Sequence, residues 1–356
     1  MKRICYFSHT KDMPPRDIVY LEGLKQNGVE IVECKDSSSS WKKFWALYKK
    51  YKKIKDNHDL VLVGYSGHTL VPFVKLISNK KIIFNAIGSL YEGKIVSRDQ
   101  KGLFGLKSIY YWLIDFLAFR SASLSLVETN KQKNYLIRKF FLSSKKLTRA
   151  WTGVDETKFF YNPAIKKSTA FTVLFRGAFM PESGIECAIE AANILKDKGI
   201  NFKIIGYGMA ADNVRFLIEK YKLANIEWIT EKLAAEKLAE KMQECHLSLG
   251  QLSNHERLQR TVPFKAFESI AMKIPYLTAR NPGILELLKE EETCFCINPA
   301  DPKDLAKKIM ELRNNQGLIK KVAESAYQLY QKELRPVQLA RHLLDTIKAR
   351  GWTSLE

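Results

Sequence analysis

Residues 261–275 (Thr-Val-Pro-Phe-Lys-Ala-Phe-Glu-Ser-Ile-Ala-Met-Lys-Ile-Pro) place a lysine and a glutamate three positions apart, just after a proline. Pro263 suits the first position of a helix, where its missing N–H has no partner to lose. The backbone at Val262, Pro263 and Phe264 then opens an anion site, by geometry and by dipole. Lys265 adds a full positive charge. Glu268 follows one turn later on the same face, placed to accept hydrogen bonds from hydroxyl groups. An anion beside a diol is the chemistry of a phosphorylated ribose. A proline-started amphipathic helix also serves purely structural ends, so its neighbours matter. Upstream, residues 245–250 read as a buried strand and residues 251–260 as a polar loop carrying Arg257 and Arg260. Strand, basic loop and helix start are the parts from which open parallel sheets build ligand sites, at the carboxyl ends of strands.

The elements that must position these residues alternate regularly. In the second half, strand 172–175 runs into Arg176 and Gly177 and then helix 185–198; strand 201–205 ends at Gly206. Helices at 212–221 and 234–243, strands at 226–229, 276–279 and 295–298, and helix 302–313 continue the rhythm. Residues 318–349 are helical by pattern and broken at Arg335-Pro336. The first half opens with strand 4–7, helix 17–27 ended by Gly28, and strand 30–34. The run at 59–64 is continuous and apolar, as in a buried parallel strand, and 81–86 reads as the next strand. The loops that follow them carry His68, Asn85, Ser89, Tyr91 and Glu92, the candidates for contact with a second substrate, with His68 also a candidate catalytic group. Helix 103–121 carries no charge beyond Lys107, Asp115 and Arg120 and is expected to be buried; strands at 124–128 and 147–151 flank helix 131–141. The expected organisation is an α/β chain of two Rossmann-like domains facing each other across a cleft: 1–160, a linker at 161–168, 169–330, and terminal helices at 331–356 packing back on the first domain.

The 356 residues carry a net charge of +20, and the excess is lopsided. Residues 1–160 hold 29 Lys+Arg against 14 Asp+Glu, and the remainder 29 against 24. A basic first half points to an anionic surface. Residues 41–55 sharpen this. Trp41, Phe44, Trp45 and Tyr48 recur at helical spacing among seven lysines with no acid, the pattern of a helix lying on anionic lipid. The same face could equally pack on the sheet. The interleaved aromatics, and the lack of a recognisable nucleic-acid module, argue against a nucleic-acid partner. No leader-like segment opens the chain and no run suffices to span a bilayer, so a cytoplasmic protein peripheral on the inner membrane face is expected. Six scattered cysteines fit reduced, buried thiols, and no metal-ligand spacing is present.

Three stretches together resemble the retaining GT-B glycosyltransferases of family 4, also called glycosyltransferase group 1: residues 151–159 (Trp-Thr-Gly-Val-Asp-Glu-Thr-Lys-Phe), residues 173–186 with Gly177 and Gly184, and Val262 to Glu268. The resemblance implies transfer of a sugar from a UDP- or GDP-sugar, with retention and without an obligatory metal or other cofactor. It makes Glu268 the ribose ligand and Gly177 the close-approach glycine. The family's basic pair would fall at Ala178 and Ser183, neither charged, so Arg176, Arg257, Arg260 and Lys265 must supply the cations. The acceptor expected is a lipid-linked or cell-surface polysaccharide. The alternative reading is a transferase-like subunit that has lost its chemistry and scaffolds a partner enzyme.

Overall fold

A computed structural model describes residues 3–38, 41–98 and 105–352. The chain forms two compact units: Met1–Asp155 with Leu334–Glu356, and Glu156–Glu333. The start of the helix expected at 103–121 and the last four residues of the terminal segment lie outside the described residues.

The first unit runs β1 (Arg3–Ser8), α1 (Pro15–Gln26), β2 (Glu30–Lys35), α2 (Lys42–Ile54), β3 (Leu60–Val63), α3 (Leu70–Ile77), β4 (Lys81–Ile87), α4 (Leu90–Lys94), α5 (Leu106–Ser121), β5 (Leu124–Val127), α6 (Asn130–Phe140) and β6 (Leu147–Arg149). Its six strands are parallel in the order β2-β1-β3-β4-β5-β6. Local chemistry sets the boundaries. Gly28 takes φ +78 just beyond α1, and the Thr129 side chain caps α6 by accepting from the Gln132 N–H, which satisfies one orphan donor of the first turn. All four residues of β3 are buried, as a strand covered on both faces requires. Leu47 and Tyr51 of α2, Val71 and Val74 of α3 and Phe119 of α5 pack on one side of this sheet.

The second unit runs β7 (Phe171–Arg176), α7 (Ile185–Ile194), β8 (Ile200–Ile205), α8 (Ala211–Tyr221), β9 (Ile226–Ile229), α9 (Ala235–Gln243), β10 (Leu247–Leu249), α10 (Phe264–Ala271), β11 (Tyr276–Ala279), β12 (Phe295–Ile297), α11 (Pro302–Asn314) and α12 (Gln316–Leu329). Its parallel sheet has the order β12-β11-β10-β7-β8-β9, so the winding reverses between β7 and β10. Ligands bind outside the carboxyl ends of strands at such a reversal. A π-turn at Tyr330–Leu334 leads to α13 (Pro336–Ala349), which packs on α1 of the first unit; there Asn27 Nδ2 donates to the Val337 carbonyl at 2.9 Å.

Three expectations change. Residues 161–168 are tied into the second unit: the Asn162 N–H donates to Gln243 Oε1 at 2.8 Å and Lys167 Nζ to the Cys245 carbonyl at 2.7 Å. Their polarity marked a loop held by side-chain bonds. Helix α5 is not buried. Only Ser108, Asp115, Ala118 and Phe119 are, and Leu106, Ile109, Tyr110, Leu113 and Leu117 are exposed. The aromatic face of α2 divides: Phe44 meets Phe73 edge-on at 5.0 Å while Trp41 and Trp45 are exposed. The six cysteines are buried and unpaired.

Candidate functional site

At the reversal point of the second unit, β7 delivers Arg176 and Gly177, β8 delivers Gly206, and the loop after β10 leads into α10. Gly177 and Gly206 take φ +134 and +148, backbone that L side chains rarely adopt. A Cβ at Gly206 would overlap the Gly177 carbonyl oxygen. The two turns therefore stack directly, and only glycine allows it.

Pro263 sits one position earlier than expected, as the extended N-cap of α10, with φ −71 and ψ 145. Its ring fixes the entry angle, and the first helical turn begins at Phe264. Lys265 and Glu268 then project together. Arg176 grips Glu268 from the end of β7: Nη2 donates to Oε1 at 3.0 Å and Nη1 lies 2.8 Å from Oε2. The hydrogen bond is charge-assisted, and Oε2, though close in charge, finds no hydrogen-bond partner among the described residues. Lys265 is 6% exposed. Its Nζ donates to the Gly250 carbonyl at 3.1 Å and lies 4.5 Å from the Phe175 ring centroid.

The electrostatics of this cluster are poised. Burial, reinforced by the Arg176 charge and opposed by Glu268, pulls the Lys265 ammonium down to about 7. Burial raises Glu268, opposed first by Arg176 and then by Lys265. Arg176 and, when protonated, Lys265 thus share one carboxylate, and a ligand bringing negative charge would favour the charged lysine.

Arg257 and Arg260 are placed differently. Arg257 Nη1 meets Glu182 Oε1 at 2.6 Å, and Ser253 Oγ donates to the Glu182 carbonyl at 2.9 Å, clasping the loop after β10 to the loop after β7. Arg260 Nη2 lies 3.4 Å from Glu256 Oε1, within its own turn. Val262 is buried, while Pro263 and Phe264 are half-buried. Ser183 had offered no signal beyond its lack of charge. It is buried, and its Oγ finds no hydrogen-bond partner among the described residues.

The first-unit candidates form a buried polar layer. His68 is 1% exposed, edge-on to Phe84, with Nε2 3.3 Å from the Gly88 carbonyl and 3.5 Å from Asp115 Oδ1. Burial pulls its imidazole down to about 4 and pushes Asp115 up to about 7, although the Leu90 and Tyr91 N–H groups donate to that carboxyl. Ser89 caps α4 through the Glu92 N–H, Glu92 accepts from Gln132, and Lys139 lies over the Tyr91 ring. Asn85 donates to Asp17 at 2.6 Å. Asp17 also accepts from Tyr6 Oη at 2.7 Å and the Tyr65 N–H at 2.9 Å, and burial raises its carboxyl. The loop-delivered polar residues are therefore engaged with one another. No group of three or more His, Cys, Asp or Glu side chains able to hold a metal ion occurs among the described residues.

Residues 157–329 match the family model of glycosyl transferases group 1. A relative from Methanocaldococcus jannaschii, the uncharacterized glycosyltransferase MJ1178, is 30% identical over 159 residues, 45% of this chain and 43% of that protein. WcaL of Escherichia coli K12, provisionally named a colanic acid biosynthesis glycosyltransferase, is 23% identical over 176 residues, 49% of this chain and 43% of its own. The chain thus spans less than half the length of these relatives. Among solved structures, Anabaena Alr3699/HepE in complex with UDP and glucose superposes with a TM-score of 0.74 at 13% identity, covering 98% of this chain and 100% of that one. This likeness identifies the fold of the whole chain as GT-B.

Proposed function

We propose that this chain, whose residues 157–329 match the glycosyl transferases group 1, transfers a sugar from a nucleotide-diphosphate-sugar to an acceptor. The observation that carries the reading is the pairing at the β7/β10 reversal. A buried lysine depressed to about 7 lies beside a carboxylate already gripped by an arginine. A diphosphate brings the second negative charge that Lys265 and Arg176, sharing Glu268, lack between them, and the free lone pairs of Glu268 accept from a ribose diol. The complex of HepE with UDP supports a uridine nucleotide, with GDP-sugars as the alternative donor.

The charge that develops on the departing diphosphate would be met by Lys265, Arg176 and the amides at the start of α10, groups fixed before the reaction begins. Ser183, with its unpartnered hydroxyl, would supply a neutral donor where the family carries a cation. Retention of configuration and independence from added metal are the outcomes the family match leads one to expect. Asn85, Ser89, Tyr91 and Glu92 would frame the acceptor side through their layer of hydrogen bonds, without direct contact from the buried His68.

The acceptor we infer is a lipid-linked or cell-surface polysaccharide at the cytoplasmic membrane face. The colanic acid relative and the basic segment 41–55 support it. No helix among the described residues is long and apolar enough to cross a membrane. The uncharged Ala178 and Ser183 favour the second reading, a scaffold without chemistry. The test is incubation with UDP- and GDP-sugars and a membrane lipid extract, with and without chelator, for wild type and Lys265→Ala. Sugar transfer by wild type alone supports the proposal. Failure of every donor to transfer or hydrolyse, with no nucleotide bound in calorimetry, leaves the scaffold.

A further inference from the structure

Helix α5 carries an apolar face that nothing among the described residues of its unit covers. Leu106, Ile109, Tyr110, Leu113 and Leu117 recur at i, i+3, i+4, i+7 and i+11, and all are exposed, Leu106 at 88% and Tyr110 at 59%. The stripe is roughly 16 Å long at the rise of an α-helix. Its inner face packs on the core through Ala118 and Phe119. At its far end Phe141 is 74% exposed, and its carbonyl accepts from Arg120 Nη2 at 3.2 Å. Phe141 takes φ +51, unusual for a bulky side chain.

The charges around the stripe identify its partner. Helices α2, α3 and α5 form one layer on the sheet: Phe44 of α2 meets Phe73 of α3, and α3 packs beside α5. Neither α2 nor α3 contains an acid, and the one acid of α5, Asp115, is fully buried. The layer therefore presents no carboxylate to solvent, while Lys49, Lys52, Lys75, Lys107 and Arg120 are exposed. A second copy of the chain would oppose like charge with like. An anionic lipid surface offers both an acyl boundary for the leucines and headgroups for the bases. We infer that the outer face of α5 is the principal membrane anchor of this protein, seated on anionic lipid with α2 as its flank. At 16 residues α5 is too short to span a bilayer and lies along it. The inference rests on the membrane part of the proposed function and not on sugar transfer.

Sedimentation with vesicles separates the possibilities. Wild type should partition into phosphatidylcholine vesicles containing about 30% phosphatidylglycerol at least roughly tenfold more strongly than into neutral ones, and less strongly at high salt. The Leu113→Glu, Leu117→Glu pair should lose roughly tenfold or more of that binding, and Trp41→Ser with Trp45→Ser clearly less. If the glutamate pair loses its cooperative melt, Ile109→Ser with Leu113→Ser carries the same test. Retained binding in the α5 variants with loss in the α2 variant would overturn the inference while leaving a membrane-bound enzyme. No binding by wild type would remove both. A wild-type dimer in light scattering that the α5 variants convert to monomer would assign the face to a second copy.

Discussion

Replacing Lys265 with methionine should make the fold more stable and the site useless. The ammonium is buried against Phe175 and, among the described residues, hydrogen-bonded only to the Gly250 carbonyl, and its depression from 10.5 to about 7 measures what burial, with the nearby Arg176 charge, costs it. A shift of that size corresponds to about 5 kcal/mol against the charged form, most of it felt near pH 7. Methionine keeps the length and loses one hydrogen bond and one cation–π contact, worth about 1–2 kcal/mol together. The net gain is therefore about 2–4 kcal/mol, or roughly 4–16 °C in melting temperature at about 2–4 °C per kcal/mol. The pH dependence gives an independent check. Between about 7 and 10.5 the unfolded lysine holds a proton that the folded one has released, so wild-type stability rises with pH through this window. The Lys265→Met protein should lack that rise, so its advantage should shrink as pH increases. Urea denaturation at several pH values reads both. A variant less stable than wild type at neutral pH, or one with the same pH profile, refutes the reasoning that Lys265 is held at a cost.

Three other changes follow from the same geometry. Glu268→Gln leaves Arg176 without its carboxylate; because Arg176 keeps 21% of its side chain in water, the cost should be about 2–3 kcal/mol in chemical denaturation, with part recovered by adding Arg176→Met. Gly206→Ala forces a Cβ into the Gly177 carbonyl at φ +148, so it should lose about 2–4 kcal/mol in thermal melts, and UDP binding with it. Burial holds His68 at about 4, so from pH 6.5 down to 4 only the unfolded imidazole gains a proton; wild type should lose up to about 3 kcal/mol relative to His68→Gln across that window.

Periodicity made the sheets legible. The apolar run of β3 gave a strand close to where it stands. What spacing could not show was pairing across long separations. Glu268 read as a free carboxylate because its partner, Arg176, lies 92 residues earlier. Arg257 looked like a phosphate ligand until Glu182, 75 residues away, took its guanidinium. Asn85 and Glu92 looked available as loop residues, yet Asp17 and Gln132 engage them. Helix α5 misled for another reason: it carries apolar residues on both faces, a pattern that usually means complete burial. Here one apolar face is left to solvent.

The most direct test is proton uptake on nucleotide binding. Calorimetric titration of UDP, and separately GDP, at about pH 8 in buffers of differing ionisation enthalpy counts the protons that binding draws in, because Lys265 must charge to meet a diphosphate. Wild type should bind with uptake approaching one proton, and Lys265→Met should lose that uptake together with most of the affinity. Binding without proton uptake, or undiminished binding by the methionine variant, would show that Lys265 does not meet the diphosphate.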